Sequence, residues 1–332
     1  MNQILSIPLR QVNYSKFIKL MLAVTIVITG TFGALFVLSP SAPGSTSVAP
    51  GRLGAPVFSH YIYGDFGDNA LHKPMFATFG NGRVYVSDTN NWRVQVFEED
   101  GTPITKFGER GGDPGQFYYP YGIVIGPDSN VYVADMYSDI IQVFTPDGEY
   151  IGRFADEYSK TDYLSGPAGM HLDDRGRLFV ANVNTGKVSI FDINSEELLN
   201  TVTVSGDVFA PNDVTVDSDG FIYVVDTGGQ RVVVYSPDTS RPVRIINGSS
   251  DGRGAATLSN PRGIGIRGDW IMVVSNLSHT IHAFHKDGTE DFAFGSQGDA
   301  QNQFMHPNGL FIDGRGRMLI TDTIGARVAV YR

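Results

Sequence analysis

Four aspartates recur along the chain at similar intervals, Asp88, Asp135, Asp226 and Asp322, with Asn182 and Asn276 taking the same place in two further copies. A ring of six oxygen-bearing side chains would suit a hard cation such as calcium, which accepts about six to eight oxygen ligands. The seven histidines offer a second chemistry. A three-histidine zinc centre needs ring nitrogens converging at about 2.0 to 2.1 Å. His279, His282 and His285 stand close together, but their spacing puts His282 and His285 on opposite faces of a strand. His171 and His306 lie in other copies. Each recurring acid ends an apolar run and opens a polar loop, where an Asx side chain holds backbone N–H groups. Five residues further on stand Arg93, Lys187, Arg231 and Arg327, and Ile140 takes that place after Asp135. The acids therefore read as scaffold, since a requirement met in every copy fits a repeated structural need better than one site. The Gly-rich stretches at 108–112 and 252–254 join strands to strands, so neither is a phosphate loop. No catalytic residue, metal ligand or cofactor is assigned.

The elements that carry these residues repeat with them. Copies open at Pro74, Pro120, Pro167, Pro211, Pro261 and Pro307, in steps of 46, 47, 44, 50 and 46 residues. Within each, apolar residues alternate, as at Val84, Val86, Val94 and Val96, the period of a strand with one face buried. Turn signals such as Gly126-Pro127-Asp128 and Asp219-Gly220 separate the runs. Each copy supplies about four strands, and sheets of that size bury their faces by stacking around an axis. The expected fold is all-β, a six-bladed β-propeller. The sixth copy ends at Tyr331-Arg332 after its third strand, while VFSHYIYG, from Val57, resembles the fourth strands of other copies. Residues 57–63 are therefore expected to complete blade six and leave no open edge.

The openings Pro120-Tyr121-Gly122-Ile123, Pro261-Arg262-Gly263-Ile264 and Pro307-Asn308-Gly309-Leu310, with Val131-Tyr132-Val133-Ala134-Asp135, resemble the NHL family of propeller modules. The resemblance spans residues 57–332 and implies architecture rather than activity. An enzyme similar to NHL proteins, the peptidylglycine α-amidating lyase, holds zinc with histidines after the initiating Pro. None of the six equivalent positions here is His. Lactonase-like hydrolases hold calcium on the axis, where this chain offers Asn212 and Asn308 but no acid after the prolines. A metal-dependent lyase or hydrolase stays as the alternative reading.

Ahead of the repeats, residues 20–38 run without a charge, preceded by Arg10, Lys16 and Lys19. A helix over nineteen residues at about 1.5 Å each would span roughly 28 Å, a bilayer's apolar thickness. The segment 17–38 is expected to be a signal anchor following a short N-terminus of 1–16, and 39–56 an exposed Pro/Gly/Ser-rich linker. Three cations before the segment put the N-terminus in the cytoplasm and the propeller, 57–332, in the periplasm or outside the cell. Small residues after Leu38 leave a cleaved signal peptide as the other possibility. Residues 1–56 hold four cations and no acid, leaving 21 Lys and Arg against 35 Asp and Glu, a net −14, for the propeller. A polyanion is disfavoured, so no nucleic-acid partner is expected. Cysteine is absent, which removes disulfides and thiolate metal sites.

Strand parity puts the loops between blades and those joining strands two and three on one face. These are the long, varied segments, including 109–119, 155–166, 247–260 and 295–306. Variable loops on a rigid scaffold are where binding resides. The residues after the initiating prolines differ from copy to copy, and Tyr121, Asn212, Arg262 and Asn308 are expected to meet a ligand near the axis. Trp92, Tyr118, Tyr119, Tyr137 and His306 are expected to add aromatic and polar contacts around them. The expected function is a membrane-tethered extracytoplasmic scaffold that binds a protein, peptide or glycan on this face.

Overall fold

The computed structural model describes residues 56–65, 67–203, 210–237, 241–248 and 257–332. The expected anchor and nearly all of the linker lie outside them. Among the described residues no helix is long and apolar enough to cross a membrane.

Among the described residues twenty-four strands form six antiparallel four-stranded sheets. Blade two is representative: Pro120–Ile125 is innermost, then Val131–Asp135, Ile140–Phe144 and Tyr150–Phe154. Five blades follow chain order. In blade six the strand Phe58–Ile62 lies outside Arg327–Tyr331, as the truncated last copy required. Val57 and Arg332 exchange two backbone hydrogen bonds of 2.8 Å, so the ring's seam is a strand pair.

The middle strands depart from the half-buried pattern. Val131–Asp135 and Ile140–Phe144 are buried at every residue, because a neighbouring blade covers each face. One apolar cluster joins Tyr85, Val94 and Val96 of blade one to Ile123, Val131 and Val133 of blade two. Another joins Val124, Tyr132 and Ile141 of blade two to Leu178 and Phe191 of blade three. The stacking is tightest near the axis, where Gly follows the initiating Pro by two positions. A Cβ on Gly122 would sit 2.2 Å from the Ala168 carbonyl oxygen, and one on Gly309 2.5 Å from that of Met75.

The recurring acids do scaffold work. Asp88 accepts a hydrogen bond from the His72 N–H at 2.6 Å and pairs with Arg93 at 2.8 Å. Asp322 accepts from Met305 N and His306 N and pairs with Arg327. Asn182 accepts from Ser165 N. Each fixes the loop entering its own blade. Blade five corrects the sequence reading: Ser275, not Asn276, pairs with Pro261 and accepts the Ser259 N–H at 2.8 Å. Strand two of that blade ends one residue earlier than assumed, and Asn276 instead donates to the Pro307 carbonyl of blade six at 2.7 Å.

Candidate functional site

The loop face is organised around blade two. Asp135 accepts hydrogen bonds from the Tyr118 and Tyr119 N–H groups at 2.9 and 2.7 Å, and from the Ser138 hydroxyl at 2.6 Å. That places the incoming loop beside the loop joining strands two and three. Three rings then step from solvent to the axis: Tyr137 stacks on Tyr119 with centroids 4.5 Å apart, and Tyr119 on Tyr121 at 6.4 Å. Tyr137 is 68% exposed, Tyr118 47% and Tyr121 2%. Burial, with Tyr121 and Tyr137 alongside, pushes the Tyr119 hydroxyl up to about 12. Arg262 of blade five, itself half-buried, is near enough to act electrostatically on both Tyr119 and Tyr121 in the opposite sense. With both raised, the Tyr119 and Tyr121 hydroxyls are un-ionised at neutral pH.

Tyr121, Asn212 and Asn308 are placed differently from the expectation. All three are buried, and their polar atoms are used on one another. The Tyr121 hydroxyl donates to Asn212 Oδ1 at 2.6 Å, and Asn308 Nδ2 donates to the Tyr121 oxygen at 2.9 Å and to the Met75 carbonyl at 3.0 Å. The residues come from blades two, four and six and meet on the axis as a plug. They are the floor of the loop face, not its displayed surface. The physical reason is size: six short inner strands converge there, and a Tyr with two amides fills the gap while hydrogen-bonding one another.

Trp92 and His306 do not join this group. Trp92 sits in a left-handed turn of blade one, with the Arg110 guanidinium 5.2 Å from its ring. His306 faces His279, ring centroids 5.5 Å apart, and its Nδ1 lies 3.3 Å from Asn276 Oδ1. His279 Nδ1 is buried without a hydrogen-bond partner. His282 is held by Thr280 and Glu290. Among the described residues no three His, Cys, Asp or Glu side chains gather in a way that could hold a metal ion.

Beyond the plug the axis opens into a channel of about 420 Å³ lined by all six inner strands. Phe76, Ile123, Met170 and Ile264, toward the plug, are buried, whereas Phe79, Ile125, Leu172 and Val216, at the far strand ends, are partly exposed. Its mouth is therefore on the face of the one-two hairpins, opposite the loop face. Sequence reasoning missed two residues of its wall, Asp213 and His171. The signal for the first was legible: blades two, three, five and six carry Gly at the position where blade four carries Asp213. Asp213 accepts from its own next residue, Val214 N, at 2.9 Å and from Ile264 N of blade five at 3.0 Å. On its other side Gly169 makes room, since a Cβ there would meet Asp213 Oδ1 at 2.1 Å. Burial holds the Asp213 carboxyl well above the usual carboxylate range.

His171 is enclosed by protein apart from its channel edge, and burial lowers it to about 4, partly offset by Asp173. A base depressed in the folded state contributes stability above its unfolded value, near 6.5, that is lost as pH falls toward 4. The change amounts to at most about 3 kcal/mol. Asp213 has the opposite sense, its stability present in acid and lost as pH rises through its raised value. His171→Gln should shrink the drop in urea midpoint between pH 7 and pH 4.5; an undiminished drop would show that the ring is not held neutral.

The family comparisons agree with this geometry. An NHL repeat profile matches residues 210–235, and a profile described as a 6-bladed beta-propeller matches residues 68–168. The chain is a six-bladed β-propeller in which residues 210–235 match an NHL repeat. Among solved structures the propeller is similar to virginiamycin B lyase from Staphylococcus aureus, in a catalytically inactive form with quinupristin. Identity is 12%, the TM-score 0.58, and the match covers 82% of this chain and 98% of that one. It is also similar to an auxiliary nutrient binding protein from Bacteroides thetaiotaomicron, at 13% identity and TM-score 0.60, covering 82% and 73% of the two chains. Likeness at such identity establishes the propeller fold alone, and the fold hosts both enzymes and binding proteins.

Proposed function

We propose that this propeller is a membrane-tethered extracytoplasmic binding module that takes a protein, peptide or glycan on its loop face. The observation that carries the reading is the stack of Tyr137, Tyr119 and Tyr121 beside Arg262. Rigid aromatic surface with one polar anchor captures a flat apolar or sugar surface at low entropic cost, and Asp135 fixes the loop that presents it. The tether reading rests on the uncharged run 20–38 and the cations before it. No nucleic acid is part of this reading, given the acidic propeller.

The test is crosslinking and co-purification from the native membrane. Tyr118→Ser, Tyr137→Ser and Arg262→Gln together should remove at least about 90% of the captured partner, as expected for loss of several kcal/mol at an aromatic anchor. The melting temperature should stay unchanged, because two of these side chains are exposed and the third half-buried. Undiminished capture would overturn the assignment. Protease added to spheroplasts, from which any outer membrane has been stripped, should cut the propeller if it lies outside the cytoplasmic membrane.

A lyase or hydrolase is the second reading, supported by the fold shared with virginiamycin B lyase and by the His279–His306 pair. A buried imidazole nitrogen without a partner beside a second imidazole is a general acid–base arrangement. Stoichiometric zinc or calcium in the purified protein, or turnover abolished by His306→Ala, would move the function there.

A further inference from the structure

Blade five builds the loop joining its strands two and three without the acid and the cation that other blades use. In blade one Asp88 accepts from Asn91, Arg93 and Gln95, its third, fifth and seventh successors. Blade five keeps that spacing with Ser275, Ser278, Thr280 and His282. Ser278 Oγ lies 2.6 Å from both Ser275 Oγ and Thr280 Oγ1. Thr280 Oγ1 is 2.9 Å from His282 Nε2, and His282 Nδ1 is 2.8 Å from Glu290 Oε1. A fixed ion pair is thus exchanged for a run of hydroxyls that ends on an imidazole and a carboxylate.

Counting protons gives the run one direction. A carboxylate only accepts, so His282 carries its ring proton on Nδ1 toward Glu290, and Nε2 accepts from Thr280. Thr280 has no second proton, so Ser278 donates to it. Ser275 accepts the Ser259 N–H at 2.8 Å and turns its own proton to Ser278. The carbonyl oxygens that compete for these protons are farther away, at 3.2 and 3.3 Å. The Ser278 oxygen therefore gives one hydrogen bond, receives one and keeps a lone pair.

Burial is graded along the same run. Thr280 and His282 are 8% and 7% exposed, whereas Ser278 is only partly buried and follows Leu277, which is 55% exposed. Ser278 is the end that meets solvent on the loop face. Its backbone differs too: in blade two Ser138 N, at the same position, donates to the Asp135 carbonyl at 3.2 Å, but among the described residues Ser278 N has no acceptor. The N–H of the nucleophile's own residue is one of the donors that hold the oxyanion in acyl transfer.

We propose that Ser278 is the nucleophile of an esterase site for carboxylic esters with an apolar acyl group, with Thr280 relaying its proton to His282 and Glu290 positioning the ring. Nucleophile, base and orienting carboxylate are each within hydrogen-bond reach of the next, with one hydroxyl interposed. As the bond from Ser278 Oγ to the carbonyl carbon forms, its proton passes to Thr280 Oγ1 and the Thr280 proton to His282 Nε2. The C–O bond then breaks and the alcohol leaves with that proton. Water adds to the acyl-serine by the same route in reverse, releasing the acid and restoring the hydroxyl. Leu277 is the apolar surface beside the acyl group. The site goes beyond the binding reading and uses neither a metal nor the His279–His306 pair.

The full-length chain in its membrane is treated with an alkyl fluorophosphonate and the adduct located by peptide mass spectrometry. The folded protein should be labelled on Ser278, and the heat-unfolded protein should not. It should also hydrolyse p-nitrophenyl butanoate, and Ser278→Ala should abolish both reactions. His282→Gln should slow labelling at least about a hundredfold, the scale of a lost general base, and Glu290→Gln at least about tenfold. Blades one and two carry Gln95 and Gln142 at the His282 position, so the glutamine fits the fold. Thr280→Ser, which keeps the hydroxyl, should label at least about tenfold faster than Thr280→Val; a merely structural role would not separate them in this way. Adducts spread over other serines, equal labelling of folded and unfolded protein, or an unchanged rate in His282→Gln would overturn the proposal. The contrast between folded and unfolded wild type decides the matter even where a variant fails to fold. The Tyr118, Tyr137 and Arg262 triple variant should label as the wild type does, so failure of the binding reading is seen separately.

Discussion

A chain begun at Gly67 should melt at least about 10 °C below one begun at Arg52. The shorter chain loses the strand Phe58–Ile62, whose every backbone pairing is to Arg327–Tyr331. It also loses Ile62, which is buried in the cluster with Val84, Leu319 and Val328, and Phe58 and Tyr61, which pack on the cluster around Tyr331. At about 1.5 to 3 kcal/mol for each large apolar side chain, the loss approaches 5 kcal/mol. For a domain of this size each kcal/mol moves the midpoint by roughly 2 to 4 °C. The Arg327 guanidinium, 4.2 Å from the Tyr61 ring centroid, would be uncovered. The exposed edge of Arg327–Tyr331 should also drive self-association, since an unpaired strand is a template for another chain. Scanning calorimetry with light scattering reads both effects. Equal melting temperatures would mean that the ring holds without its seam.

Asp322→Ala should be the most damaging single substitution among the recurring acids. Its carboxylate is fully buried, receives the Met305 and His306 N–H groups, and pairs with Arg327, itself 2% exposed. Removing it leaves a guanidinium buried without its anion, a loss of about 3 to 5 kcal/mol. Arg327 keeps donors on the Asp299 and Gln303 carbonyls, but these neutralise no charge. Asp135→Ala is the natural comparison, because Ile140 stands where four other blades place a cation. It forfeits bonds to Tyr118, Tyr119 and Ser138 without stranding a charge, and should cost about half as much. The double variant Asp322→Ala/Arg327→Met should be more stable than Asp322→Ala alone. If urea denaturation ranks it lower, the pair is not the reason for the loss.

The architecture was readable because it repeats. Initiating prolines, alternating strands and a missing fourth strand in the last copy were enough to place the ring and its seam, since each depends on local periodicity. What periodicity cannot report is how six inner strands divide the space between them. Tyr121, Asn212 and Asn308 vary from copy to copy, and no local pattern could show that these three side chains, separated by 91 residues or more, hydrogen-bond one another on the axis. Asn276 was misassigned by one residue because the strand before it is apolar up to Val274 and gives no sign of where the ladder stops. Asp213 was visible as a broken glycine pattern, but its burial between blades three and five is a long-range fact.

The seam carries one more implication. In blade one the third strand, ending at Glu98, turns back through Gly101 into the fourth; in blade six the same reversal would run from Arg332 to Val57, which already exchange two hydrogen bonds. Blade six is thus a hairpin with its turn left out. Topologically the ring has no first blade. A short Asn-Gly bridge there would make the backbone circular, and new ends could be cut at any one-two turn without breaking a single strand pairing.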